Sequence, residues 1–238
     1  MGGPLFIIRR RYGRIVLRYF KKERVGILMK FFSVDSPLYR FLNKLLDVLK
    51  LNFLWLLFSL PIVTIGASTV AAMYVALKMT DDEEGYIGKQ FVKAFKENWK
   101  QGTVLWLITI VAVYAIYLDF QLFEVVEDNP IIFLIVGIVS IVVVISALIY
   151  AYPLLARYEN TLFHTIQNSI EISKKYFGKT LLLAFILAVE CMIFMFNTTM
   201  VFLGILFGPA IFIYTIAGMS KRVFLDIEKE SGAVTTNE

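Results

Sequence analysis

The sequence has very little of what soluble enzymes use for chemistry. Its 238 residues include one cysteine, Cys191, and one histidine, His164. A single cysteine excludes a disulfide framework or a thiolate metal site within the chain. The sequence also has no glycine-rich phosphate loop, no Ser-His-Asp set and no cluster of metal ligands. It therefore predicts no enzyme, no metal and no cofactor.

Polar residues are scarce over long stretches. The chain is 58% hydrophobic and has a mean hydropathy of +0.71, whereas an average soluble domain is about 45–50% apolar. Several runs approach the roughly 20 apolar residues that a helix needs to cross a ~30 Å hydrocarbon core. The alternating segments of a membrane β-barrel are missing from the sequence. The predicted fold is all-α, a polytopic helical membrane protein in a lipid bilayer.

The pattern predicts six membrane segments connected by interfacial amphipathic helices. A first helix starts at Pro37 and spans at 45–60, and a turn at Pro61 to Gly66 leads into 67–79, because proline cannot donate to the helix and glycine tolerates unusual dihedrals. The second segment is short, so it either spans a locally thinned bilayer or forms a re-entrant arm. The other segments are 102–123, 131–155, 181–196 and 201–219, the last interrupted at Gly208-Pro209, and the amphipathic connectors are 86–100 and 157–179.

The distribution of positive charge predicts the orientation. With a cytoplasmic N-terminus and six segments, the cytoplasmic regions are 1–50, 78–101, 157–179 and 220–238. These regions hold all 24 Lys and Arg residues of the chain. The external turns carry acids instead, namely Asp119, Glu124, Glu127 and Asp128. This is the pattern of the positive-inside rule. It predicts a multi-pass protein with both termini in the cytoplasm, and it accounts for the net charge of +5 without nucleic acid as a partner.

Three regions follow from composition. Residues 1–32 mix apolar residues with cations and predict either an amphipathic helix on anionic inner-leaflet lipids or a poorly ordered basic tail. Residues 33–226 form the membrane domain, and 227–238 are predicted to be disordered. A weak similarity between 74–103 and 152–180 predicts two parallel three-segment halves, with chance similarity of amphipathic connectors as the alternative.

Polar and helix-breaking residues within the membrane segments are the candidate functional positions, because burying polar groups in lipid is costly. Glu190 is the sharpest candidate, for a proton or cation role, with a hydrogen-bonded structural carboxyl as the alternative. Broken helices can expose backbone groups to ions or substrates, although proline kinks are also ordinary in membrane helices. The full set is Asn52, Pro61, Thr64, Gly66, Pro153, Glu190 and Pro209.

Several dispersed blocks resemble the YesL family of bacterial membrane proteins. They include LPIVTIGAS at 60–68, DDEEGYI at 81–87, FVKAFKENWKQGT at 91–103 and YPLLARYENT at 152–161. The resemblance covers about 31–226 and implies a bacterial plasma-membrane protein whose genes neighbour carbohydrate-uptake systems. It implies no catalytic residues.

Two functions remain open at this point. The first is a non-enzymatic accessory or interaction partner of a carbohydrate-uptake system, with ABC sugar-transporter subunits as possible partners. The second is a small solute or ion transporter or channel that uses the broken helices and Glu190.

Overall fold

The computed structural model describes residues 37–81, 85–125 and 130–235, and all its regular elements in these ranges are helical. The prediction of an all-α fold is confirmed. The predicted amphipathic segment at 1–32 lies outside the described residues. The helices are α1 (Pro37–Phe58), α2 (Ile65–Met79), α3 (Ile87–Val125), α4 (Pro130–Leu148), α5 (Ala151–Arg157), α6 (Leu162–Lys175), α7 (Phe177–Met195) and α8 (Thr198–Thr235), with a 3-10 turn at Ile62–Thr64.

Internal packing divides the chain into two compact units, residues 1–47 and 48–238. The second unit holds all the helices from α2 onward and the apolar half of α1. All contacts described below belong to this second unit.

Five segments in the described ranges are long and apolar enough to cross a membrane. They are Ile62–Met79, Ile87–Phe123, Ile131–Arg157, Phe177–Met195 and Thr198–Glu230. Helix α1 is not among them, because Lys44, Asp47 and Lys50 lie close to its short apolar end. The structure supports a multi-pass membrane protein, but it does not confirm six spans.

Helix α2 is the centre of the second unit. In the Ile62–Met79 segment 61% of the residues are buried inside the protein, compared with 6% of an apolar stretch of 18 residues in each of Ile87–Phe123 and Ile131–Arg157. Its small residues Ala67, Ser68, Ala71 and Ala72 have no exposed surface. Small side chains let helix backbones approach closely where lipid supplies no hydrophobic driving force. This stripe of small residues therefore lets α2 pack closely on its neighbours.

The closest approach in this core joins α2 to α3 at two glycines. A Cβ atom on Gly66 would lie 2.1 Å from the carbonyl oxygen of Gly102, and one on Gly102 would lie 2.7 Å from Cα of Ala67. Both obstacles are backbone atoms, which cannot rotate away. Gly66 therefore serves a helix crossing, in addition to its place next to the predicted turn.

The apolar half of α1 contacts three different helices along successive turns. Asn52 bonds to α8, the Trp55 indole N–H donates to Thr69 Oγ1 of α2 at 3.1 Å, and the Phe58 ring lies 5.3 Å from that of Phe91 on α3. This part of α1 therefore packs on three helices, whereas the sequence predicts a span paired with 67–79.

Helix α3 corrects the prediction of a separate interfacial helix at 86–100. The amphipathic segment at 86–100 and the apolar segment at 102–123 form one continuous helix of 39 residues, about 58 Å long. No proline interrupts it, and Gly102 does not break it because its missing side chain is used for packing against α2. The apolar stripe packs on protein: Ile87 and Phe91 are buried in the core. In the second predicted repeat unit, the amphipathic helix α6 is separate from the apolar helix α7. The two units therefore differ, because the first has one continuous helix.

The C-terminal end differs from its prediction as well. Helix α8 continues through Thr235, so residues 227–235 are helical where the sequence predicts disorder. The acids at this end explain the extension, because Glu228 and Glu230, with Asp226 just before them, each form an ion pair with a cation of a neighbouring helix. Those contacts fix the helix beyond its apolar stretch.

Candidate functional site

The structure brings together two candidate residues that lie 157 positions apart. Pro209 lies inside the continuous helix α8, so the predicted interruption at Gly208-Pro209 is wrong. Proline has no N–H for the carbonyl four residues earlier, which is that of Ile205. The buried amide of Asn52 points at this place in α8.

Both ends of the Asn52 amide are bonded to the backbone of α8. Its Nδ2 donates to the Leu206 carbonyl at 2.6 Å and makes a long contact of 3.4 Å with that of Ile205. Its Oδ1 accepts from the Ala210 N–H at 3.1 Å. A side chain from a neighbouring helix thus satisfies backbone groups around the proline, as membrane helices require. Asn52, a candidate functional position in the sequence, therefore ties α1 to α8.

Glu190 lies on α7 and faces α8. Its Oε1 accepts a hydrogen bond from the Thr215 hydroxyl at 2.7 Å. Its Oε2 is buried and has no hydrogen-bond partner among the described residues. The side chain thus links α7 to α8 and keeps one oxygen available for a proton or a further donor.

The Pro61 turn is closed by its own residues. The Thr64 hydroxyl lies 2.6 Å from the Phe58 carbonyl and 2.7 Å from that of Pro61, so a single donor serves both ends of the turn. The predicted turn is present as the 3-10 element that precedes α2. Its apolar residues Leu60 and Ile62 are 75% and 70% exposed, which suits a surface in contact with lipid.

Pro153 separates α4 from α5. The ring of a proline clashes with the carbonyl four residues earlier, here that of Ile149, and the helix is broken between Leu148 and Ala151. The sequence predicts one segment over 131–155, with a proline near its end. Two tyrosines flank the break and fix it: Tyr150 lies 3.2 Å from the Thr180 hydroxyl and Tyr152 lies 2.9 Å from that of Thr109. Within the described part of the chain, the cavity beside this break is apolar, and Leu148, Ile149 and Tyr152 belong to its lining.

Several cations of the described helices gather at one end of the second unit, where ion pairs join distant segments. Arg157 Nη2 lies 2.9 Å from Glu228 Oε1, and the Tyr158 hydroxyl donates to the same oxygen at 2.7 Å. Three further lysine–carboxylate pairs have the same effect: Lys175 with Glu230, Lys179 with Asp226 and Lys221 with Asp81. The ends of α2, α5, α6 and α8 and the start of α7 therefore lie together, as the charge argument requires.

These contacts also shift proton affinities outside the apolar segments. Burial raises the pKa of Tyr158 to about 12, and its hydrogen bond to Glu228 adds to the increase. The hydrogen bond that the Lys175 ammonium donates to the Glu230 carboxylate raises the pKa of Lys175, which keeps that ammonium charged. Neither group titrates near neutral pH, so Tyr158 stays neutral and Lys175 stays charged under ordinary conditions.

A cleft of about 970 Å³ opens at the same end, between α3 and the loop after α5. Its charged lining consists of Lys93, Lys96, Glu97, Lys100, Arg157 and Glu159. Arg157 is paired with Glu228, and Lys93 lies 3.9 Å from Glu97. Among the described residues no carboxylate forms an ion pair with Lys96 or Lys100.

Sequence reasoning missed two parts of this arrangement. Gly102 gave no signal, because a lone glycine at the start of an apolar run is ordinary. For the cleft, the sequence shows only an amphipathic segment at 86–100, because the loop that completes the cleft comes from residues 155–161. Both depend on contacts between segments far apart in the chain.

One family model matches the chain, over residues 48–120; it is described as a protein of unknown function, DUF624. The match covers less than half of the chain. It includes Asn52, the Pro61 turn and both glycines of the α2–α3 crossing, while Glu190 and Pro209 lie beyond it. No curated protein and no solved structure matches the chain significantly.

Proposed function

We propose that the protein is a non-enzymatic accessory or interaction partner of a carbohydrate-uptake system in the bacterial plasma membrane. The proposal of an accessory protein instead of a transporter rests on the hydrogen bonds of the Asn52 amide. The amide lies beside a proline in a membrane helix, where a transporter could expose backbone groups to its substrate, but both of its ends are bonded to α8, which stays continuous. Backbone groups bonded in this way support a structural role for Asn52 and Pro209.

The association with carbohydrate uptake rests on the YesL resemblance. The family-model match over 48–120 is consistent with a YesL-type family. The proposed partners are subunits of ABC sugar transporters. Affinity capture of the tagged full chain from native membranes should recover such subunits, and a tagged multi-pass protein of similar size, expressed equally, should not. Repeated capture without any transporter subunit would remove the proposal.

For orientation, we propose that the cation-rich end and both termini face the cytoplasm. The gathering of Lys and Arg at one end of the helices supports this placement by the positive-inside rule. Protease added to intact cells should then leave a C-terminal tag in place, whereas protease added to inverted vesicles should remove it. The opposite pattern would reverse the orientation.

A second candidate is a small transporter or channel for a solute or ion. The observation that favours it is the buried Glu190 Oε2, which has no hydrogen-bond partner among the described residues. Intramembrane carboxyls without a charged partner are typical of proton and cation pathways.

The transport candidate predicts flux in proteoliposomes that depends on Glu190. Glu190→Gln should lower the flux of the transported species severalfold, because the amide cannot take up and release a proton. Glu171→Gln is the matched control, since it removes a carboxylate from the exposed face of α6 outside the apolar segments. Absence of flux across a panel of sugars and ions, or equal flux in both variants, would count against this candidate.

A further inference from the structure

The exposed face of α3 changes its chemistry abruptly near Lys100. Lys93, Lys96 and Lys100 lie on this face, and all three are exposed in the cleft. The next turns of the same face carry Val104, Leu107, Ile108 and Val111, which are 44%, 48%, 38% and 67% exposed. Residues three, four and seven apart lie along one side of a helix, so cationic and apolar parts form one continuous strip.

The dimensions of this strip match one leaflet of a bilayer. From Lys100 to Val111 the helix rises about 16 Å, and half of a ~30 Å hydrocarbon core is about 15 Å. Trp99, at the junction of the two parts, is 50% exposed. Tryptophan is enriched at the level of lipid headgroups, so the junction has the composition of a membrane interface.

The cleft at the cationic end of the strip supplies positive charge for an anionic ligand. Its lining carries four cations and two carboxylates, and among the described residues neither Lys96 nor Lys100 is neutralised by an ion pair. The Lys100 ammonium lies 5.9 Å from the centre of the Trp99 ring, which holds it beside the junction. Basic pockets between membrane helices on the cytoplasmic side bind anionic headgroups.

We propose that this strip binds one phospholipid with an anionic headgroup. The phosphodiester lies in the cleft and is contacted by Lys96 and Lys100, and an acyl chain follows the strip from Val104 to Val111. The site is distinct from the basic segment at 1–32, because its residues belong to α3 and to the loop after α5. It needs no assumption about the protein's activity.

Quenching of Trp99 by brominated lipids tests the proposal in the full chain. The protein is reconstituted in phosphatidylcholine vesicles that contain phosphatidylglycerol or phosphatidylcholine with brominated acyl chains at the same mole fraction. The Trp99-dependent emission is the difference between the wild-type protein and Trp99→Phe. We expect phosphatidylglycerol to be favoured next to Trp99 by about tenfold, since each lysine near the surface strengthens association with anionic lipid severalfold.

Two variants with equal loss of charge separate the cleft from the rest of the surface. The preference should disappear in Lys96→Gln/Lys100→Gln and persist in Lys174→Gln/Lys229→Gln, whose lysines are exposed at the same end and do not line the cleft. Both variants retain residues 1–32, so lipid binding by that segment contributes equally to the two measurements. Folding of each is checked by circular dichroism, and all four lysines are exposed.

Three results would overturn the proposal. One is equal quenching by the two lipids in the wild-type protein. Another is an unchanged preference in Lys96→Gln/Lys100→Gln. The third is loss of the preference on addition of glycerol 3-phosphate at matched ionic strength, which would assign the cleft to a soluble phosphate compound instead of a lipid.

Discussion

Replacing Asn52 by leucine is expected to destabilise the protein by about 2–4 kcal/mol. Leucine has a similar size, but it leaves the Ala210 N–H and the Leu206 carbonyl without the amide that now bonds to them. Each buried polar group without a partner costs about 1–3 kcal/mol. Unfolding in detergent, followed by circular dichroism against denaturant or temperature, measures the loss.

Asn98→Leu is the matched control for this substitution. Among the described residues, the Asn98 amide bonds only to the Ala94 carbonyl of its own helix, at 3.1 Å. Its loss is expected to change stability by less than about 0.5 kcal/mol, as for most surface substitutions. Equal effects of the two leucine variants would show that the bonds of Asn52 to α8 contribute little.

Replacing Gly66 by alanine should be the second most damaging single change. The new Cβ would lie 2.1 Å from the Gly102 carbonyl oxygen and 2.5 Å from Cβ of Trp106. Since the first obstacle is backbone, α2 and α3 must separate. Overpacking of this kind costs about 1–3 kcal/mol and occasionally more, and here it would open the most buried helix of the unit. The measurement is the same unfolding experiment, together with the yield of folded protein.

Gly88→Ala and Gly178→Ala are the controls. A Cβ on either glycine has no atom within 4 Å, and both residues are helical. Alanine is favoured over glycine inside a helix by roughly 0.5–1 kcal/mol, so both variants should be unchanged or more stable. A loss of stability in the controls comparable to that of Gly66→Ala would refute close packing as the cause.

Local properties of the sequence predicted much of this fold. Apolar runs predicted the membrane helices, and Pro61 predicted the turn before α2. The charge pattern predicted that the ends of α2, α5 and α8 lie together, and the ion pairs agree with that arrangement. These features depend on residues close together in the chain or on simple counts.

What the sequence could not predict depends on long-range contacts. Pro209 alone indicates a break, but the structure keeps α8 continuous because Asn52, far away in the chain, bonds to its backbone. An amphipathic stripe at 86–100 is compatible with packing on lipid or on protein, and the position of Phe58 decides for protein. The charged residues 226–230 look like a tail until their lysine and arginine partners are known.

The backbone groups around Pro209 are bonded to Asn52 from within the protein, so this part of α8 supports the fold and does not form a ligand site. A double-mutant cycle between Asn52→Leu and Pro209→Ala tests this most directly. Alanine restores the N–H that the Ile205 carbonyl lacks and removes the ring that clashes with that carbonyl, so this turn of α8 can relax and the Ala210 N–H can bond to the Leu206 carbonyl without the Asn52 amide. We predict that Asn52→Leu costs at least about 1 kcal/mol less in the Pro209→Ala background than in the wild-type protein. Equal costs in the two backgrounds would contradict the claim.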